Sequence, residues 1–101
     1  MRIEHPNAFK QFIENGVLAT FRNYPYREGQ VIRIYHNGKY VGRAVVEKVL
    51  STKTLLIMDN IEEITKISGF NDLNEWISEA KKLHHTKKIP KYLVIIKRLE
   101  R

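Results

Sequence analysis

Val31-Ile32-Arg33-Ile34-Tyr35-His36-Asn37-Gly38-Lys39-Tyr40, running on as Val41-Gly42-Arg43-Ala44-Val45-Val46 to Leu50, is the most informative stretch of the chain. β-branched residues flank an Asn-Gly pair. That pair suits a two-residue turn in which both central residues need positive φ, so the stretch reads as an antiparallel hairpin. Alternation puts Ile32 and Ile34 on one face and Arg33 on the solvent side. The return strand is expected over Lys39 to Leu50, with a bend at Gly42.

Before the hairpin, Pro6-Asn7 gives a helix start, Phe9, Phe12 and Ile13 recur at helical spacing, and Gly16 gives a stop. Val17 to Arg22 reads as a short strand, and Asn23 to Gly29 as a loop. After the hairpin, Ser51-Thr52-Lys53 reads as a turn and Thr54 to Met58 as a further strand. Asp59 to Ile67 is acidic and reads as one or two helical turns, ended by Ser68-Gly69. Asp72 with Glu75 three residues on resembles a capping box. Leu73, Trp76, Ile77, Ala80 and Leu83 line one face of the helix that follows, to about His84, which makes Trp76 a core residue. Residues 85–90 form a basic loop. Tyr92 to Ile96 is apolar without alternation, as expected of a strand buried on both faces at the centre of a sheet. The expected order is α-β-β-β-β-α-β, a single α+β domain over 1–101. Its form is a curled mixed sheet or partly open barrel with two main flanking helices.

The chain has 101 residues, which suits one core. No apolar run approaches the ~20 residues that span a bilayer, and no apolar leader follows Met1, so the expected partners exclude membranes and the expected location is the cytoplasm. The absence of cysteine excludes disulfides, thiol nucleophiles and thiolate metal sites. His84-His85 diverge on a helix and make a poor chelating pair, so no metal is expected. A helix-terminal cation is the better reading for them. Glu62-Glu63 likewise diverge and suit a solvated face. No glycine pattern cradles a nucleotide phosphate, and no cofactor is called for.

The net charge of +7 is segregated. Residues 20–43 hold five basic groups against one acidic, and residues 81–101 hold eight against one. The intervening 44–80 holds three against seven. If the fold joins the two basic blocks, they form a face suited to a phosphate backbone. Within the first block, Arg22-Asn23-Tyr24-Pro25-Tyr26-Arg27 places two tyrosines between two arginines. Tyrosine faces stack on unpaired bases and guanidinium forks clamp phosphates.

Several pieces in order resemble the ASCH domain, a member of the PUA-like superfamily. They are Thr20-Phe21-Arg22 after the first helix, Glu28-Gly29-Gln30 leading into Val31, Gly42 to Val46, Ser68-Gly69-Phe70 before the helix bearing Leu73 and Trp76, and Tyr92 to Ile96. The resemblance spans about Phe9 to Leu99. It implies a PUA-like barrel with flanking helices that binds RNA or a modified nucleoside in a cleft beside the first strand. The family's G-x-K-x-x-[E/T]-x-R signature, set on Arg22, keeps Thr20 but puts Val17 at the lysine. Some small ASCH proteins resemble amidohydrolases of acylated cytidine, which use a lysine, a threonine and a glutamate. The glutamate position falls near Ser68. Valine cannot supply an amine, nor serine a carboxylate base, which argues against that activity.

The leading expectation is therefore an RNA-binding module with a positively charged cleft. Arg22 and Arg27 contact phosphate or a base edge, and Tyr24 or Tyr26 stacks a base. Thr20 and Ser68 offer hydroxyls, while Arg43, Lys87, Lys88 and Lys91 extend the positive surface. Single-stranded DNA is the other polymer this chemistry accepts. The alternatives are a small amidohydrolase or nuclease on modified nucleosides or RNA, and a protein-interaction domain docking through Asp59 to Glu63.

Overall fold

The computed structural model describes residues 1–57, 60–85 and 87–99, with backbone alone for 55–57. The elements run α1 (Pro6–Asn15), β1 (Val17–Arg22), β2 (Val31–His36), β3 (Lys39–Ser51), a 3-10 turn (Thr52–Ile57), α2 (Ile61–Lys66), α3 (Leu73–Leu83) and β4 (Tyr92–Arg98). Four strands form one sheet in the order β1-β4-β3-β2, and every neighbouring pair is antiparallel.

The hairpin forms as its turn chemistry dictates. Asn37 and Gly38 both take positive φ, 50° and 79°, and His36 pairs with Lys39. β3 is long and irregular. Its register shifts opposite Ile34/Tyr35, where Gly42 sits at φ 137°, and again between Val46 and Lys48. Bulges increase local twist, and two of them in one strand curl the sheet.

Both faces of the sheet are covered over part of their area. On one, α1 packs Ala8 and Phe12 against Leu18, Ile32, Ile34, Ala44, Val46, Val94 and Ile96. On the other, α2 and α3 bring Ile64, Trp76 and Ala80, with Phe70, onto Ala19, Phe21 and Leu93. β4 lies between β1 and β3 with Leu93, Val94 and Ile96 fully buried, the central place its unbroken apolar run called for. Asp72 caps α3 by accepting the Glu75 N–H at 2.8 Å, and the Glu75 carboxylate takes the Asn71 N–H at 3.0 Å.

Three expectations need correction. The strand proposed for Thr54 to Met58 is absent over its described part. Residues 52–57 form a 3-10 turn instead, where the Thr52 hydroxyl ties back to the Pro90 and Lys91 carbonyls and the Thr54 hydroxyl to the Ser51 carbonyl, an alternative to extended pairing. Met58, and Asp59 at the start of the acidic stretch, lie outside the described residues. The sheet is antiparallel rather than mixed. It is also not closed into a barrel, while α2 forms where helical turns were expected, beside the two main helices α1 and α3. Among the described residues, its one parallel feature is an isolated bridge from Arg2 to Tyr35, where the Ile3 N–H donates to Tyr35 O at 2.8 Å. This opening segment runs along the β2 edge, while β1 forms the opposite edge of the sheet.

Gly69 sets the distance between α1 and the turn before α3. Its φ is +89°, and a Cβ there would meet the Asn7 carbonyl, with the carbonyl carbon at 2.8 Å. Gly29 has a similar φ of +85° but open space around it. Gly29→Ala is expected to cost about 1–2 kcal/mol, the left-handed penalty alone. Gly69→Ala adds a backbone clash and should cost about 3 kcal/mol or more. Urea unfolding of both variants checks this, and equal losses would refute the close approach.

Candidate functional site

A cleft of about 280 Å³ opens where the two edges of the curled sheet fail to meet. One wall is the opening segment from Arg2 to His5, held out by its bridge to Tyr35. The other is the β1 edge from Ala19 to Arg22. Ser68 and Phe70 contribute from the turn, and Trp76, Ala80, Leu83 and His84 from one stripe of α3. The volume lies just below the range for small-molecule pockets, about 300–1,000 Å³, which limits an occupant to one small group.

The β1 edge is partly tied down. The Ala19 N–H donates to Ile67 O at 2.9 Å, so residues of that parity present their backbone away from β4. Strand alternation puts the Phe21 N–H on the same outward edge. The His84 Nε2 lies 3.2 Å from Phe21 O. Since a carbonyl only accepts, this nitrogen carries the proton. Trp76 is 2% exposed and packs on Phe21 with ring centroids 4.2 Å apart, so it is a core residue whose edge reaches the cleft.

Arg22 is the dominant charge. Its Nε donates to Thr20 Oγ1 at 3.2 Å. Among the described residues no carboxylate pairs with it; the ion pairs are His5–Glu79, Lys10–Glu14, Lys66–Glu63 and Lys82–Glu79. Glu4 also lines the cleft and favours the charged guanidinium, but its Oε1 accepts the Asn37 N–H at 2.9 Å and so is held by the hairpin turn. Burial, then nearby Arg2, pushes the Arg22 guanidinium below its ordinary value, against the opposing influence of Tyr26 and Glu4. Arg22 nevertheless stays a cation. A desolvated cation without an ion-pair partner is a ready site for an anion.

His84 behaves otherwise than its place at a helix end suggests. Burial lowers its pKa, and Arg22 and His85 add to that, outweighing the bond to Phe21 O. The expected helix-terminal cation is thus disfavoured. His5 anchors the wall formed by the opening segment: its Nδ1 accepts the Asn7 N–H at 3.1 Å and caps α1, and its Nε2 lies 3.5 Å from Glu79 of α3.

Of the residues singled out from the sequence, Thr20, Arg22 and Ser68 line this cleft together. Ser68 is fully buried, and its Oγ donates to Thr65 O at 2.6 Å and accepts the Phe70 N–H at 3.1 Å. Its hydroxyl is spent on the turn, not offered to a ligand. Tyr24, Tyr26 and Arg27 lie outside the lining. Tyr24 is 61% exposed and leans on Tyr26 at 4.7 Å, while Tyr26 packs on the first core beside Arg22, where burial raises its phenol pKa. Arg27 is exposed in the loop, its N–H bound to Gln30. Arg43 pairs with Arg33 across the hairpin, away from the cleft. Lys87 joins Ser78, Lys81, Lys82 and His85 at a separate shallow hollow, and Lys88 is exposed nearby in sequence. The two basic blocks do meet: Arg22 pairs in register with Tyr92, Lys91 N–H donates to Asn23 Oδ1 at 3.0 Å, and Arg22 acts electrostatically on His84.

Sequence reading missed Arg2, Glu4 and His5. No local pattern marks them, because a pairing with Tyr35, 33 positions from Arg2, brings them there. No group of three or more potential metal ligands exists among the described residues, and none of their helices is long and apolar enough to cross a membrane. No protein-family model and no curated protein matches the chain.

An anion between Arg22 and His84 favours protonated His84, so binding takes up a proton and affinity should rise as pH falls. Stability moves the other way. The unfolded chain protonates His84 near the ordinary 6.5 while the folded chain resists, so stability falls as pH drops from there towards the folded value. Titration with a dinucleoside monophosphate, whose phosphodiester keeps its charge, at about pH 5.5 and about pH 7.5 checks the first point. Urea unfolding at the same values checks the second. His84→Gln should flatten both.

Proposed function

We propose that the chain is an RNA-binding module that takes one unpaired nucleotide of a single strand, or a modified nucleotide, into the cleft. The observation that carries this reading is the Arg22 guanidinium, half-buried and without an ion pair among the described residues, at the wall of a cleft that also holds an apolar stripe of Phe21, Phe70, Trp76 and Leu83. Such a pairing of fixed cation and apolar slot suits a phosphate joined to a flat ring. In this reading Arg22, assisted by Arg2, holds the phosphate. Thr20 orients Arg22 by accepting from its Nε. The Phe21 N–H on the outward edge of β1 faces the base edge, and the cleft walls exclude water from the ring.

The resemblance to ASCH domains supports the same assignment, since Thr20 and Arg22, where the signature falls, are both at the cleft. A PUA-like character for the curled sheet, and a cytoplasmic location, belong to this proposal. Tyr24, exposed beside Tyr26, is a further platform for a neighbouring base.

Fluorescence anisotropy with a short single-stranded RNA and the matched duplex tests the proposal. The single strand should bind more tightly, with affinity falling steeply as salt rises. Arg22→Ala should weaken it about tenfold or more, the scale of a lost charge-assisted contact, and Arg22→Lys should restore only part, because an ammonium lacks the fork. Unchanged affinity and salt slope in Arg22→Ala would refute the site.

A further inference from the structure

The uncovered part of the sheet carries an arrangement that the cleft does not use. Register places its side chains in rows about 7 Å apart, every second residue along each strand. Val31, Val45 and Lys97 form one row, Arg33 and Arg43 the next, and Tyr35 and Tyr40 the third. The buried Ile32, Ile34 and Ala44 alternate with them, so these rows point away from the core under α1. Val31 and Tyr40 are each 53% exposed, Arg33, Arg43 and Lys97 are exposed, and Tyr35 meets Tyr40 edge-on at 5.8 Å.

Two cations directly opposite each other on an antiparallel ladder repel. Arg33 and Arg43 stand so; Arg43 has a further partner of its own, so the charge this face offers comes from Arg33 and Lys97. Within the strands, Glu47 at the second bulge is the only carboxylate, beside exposed Lys48. The face thus offers positive charge, aliphatic surface and a tyrosine pair. Arg2 neighbours Tyr35 across the parallel bridge and also lines the cleft, so the two surfaces are continuous.

We infer that this outer face is a second contact for single-stranded nucleic acid, a track on which Arg33 and Lys97 meet phosphates while Tyr40 stacks a base. Charge complementarity selects a polyanion, and the tyrosine pair selects one with flat bases over an acidic peptide. The inference shares its ligand class with the cleft but stands on different residues.

The test compares a mononucleotide with a single-stranded RNA of about eight nucleotides, within the span of one small domain. Tyr40→Ala should weaken the oligonucleotide about fivefold, the scale of one lost stacking contact. Arg33→Gln should weaken it and lower the salt slope by about one. Both should leave mononucleotide binding unchanged. Val31→Lys adds a cation to the track and should tighten oligonucleotide binding, a gain that no folding defect imitates. If Arg22→Ala leaves the mononucleotide unaffected while Tyr40→Ala still weakens the oligonucleotide, the track stands and the cleft reading fails. Oligonucleotide affinity indifferent to all three face variants overturns the inference. So does polyglutamate binding as tightly as the RNA and insensitive to Tyr40→Ala, which would mark the face as a dock for acidic protein.

Discussion

Burial of β4 on both faces and along both edges places most of the other elements. An apolar strand without alternation must be covered above and below, and its backbone groups must pair on each side. β1 and β3 supply the pairing, and α1 and α3 supply the covers. Once β4 is central, β1 becomes an edge strand. An edge strand exposes alternate amides and carbonyls, and here the turn at Ile67 and the His84 ring take up two of them. The cleft is what remains of that edge.

The same topology explains why the cleft is charged. Arg22 ends β1, where the strand leaves the core and the chain turns into the Tyr24–Tyr26 loop. Its neighbours come from two distant stretches: the opening segment, with Arg2 and Glu4, and the end of α3, with His84. Glu4 is close enough to moderate Arg22 but is engaged by Asn37. The guanidinium therefore keeps its charge in a partly dry setting, where an electrostatic interaction is worth more than at an open surface. Tyr26, packed on the first core, closes the same end of the sheet.

Much of this was legible in the chain. Asn37-Gly38 announced its turn because few residue pairs tolerate two positive φ values in succession. Val17 to Arg22 and the capped helix after Asp72 were readable for similarly local reasons, as was the central place of Tyr92 to Ile96. The strand expected at Thr54 to Met58 failed because propensity could not reveal that the Thr52 and Thr54 hydroxyls would bond to backbone carbonyls. Ser68 was placed at the cleft but its role was misread, since its two hydrogen bonds close a turn invisible in the sequence. His84 was misread for a related reason. A helix end favours a cation only where water or a carboxylate solvates it, and here the neighbours are the protein interior and a guanidinium.

By itself, then, the sequence determined the local elements, the alternation of faces and the segregation of charge, because each depends on residues a few positions apart. Tertiary structure decided which edge stays open, that Arg2 to His5 would wall it, and that Arg22 would meet His84 rather than a carboxylate. It also left the Arg33, Arg43 and Tyr40 rows uncovered. Those outcomes rest on pairings between residues tens of positions apart, and no local pattern encodes where a curled sheet stops short of meeting itself.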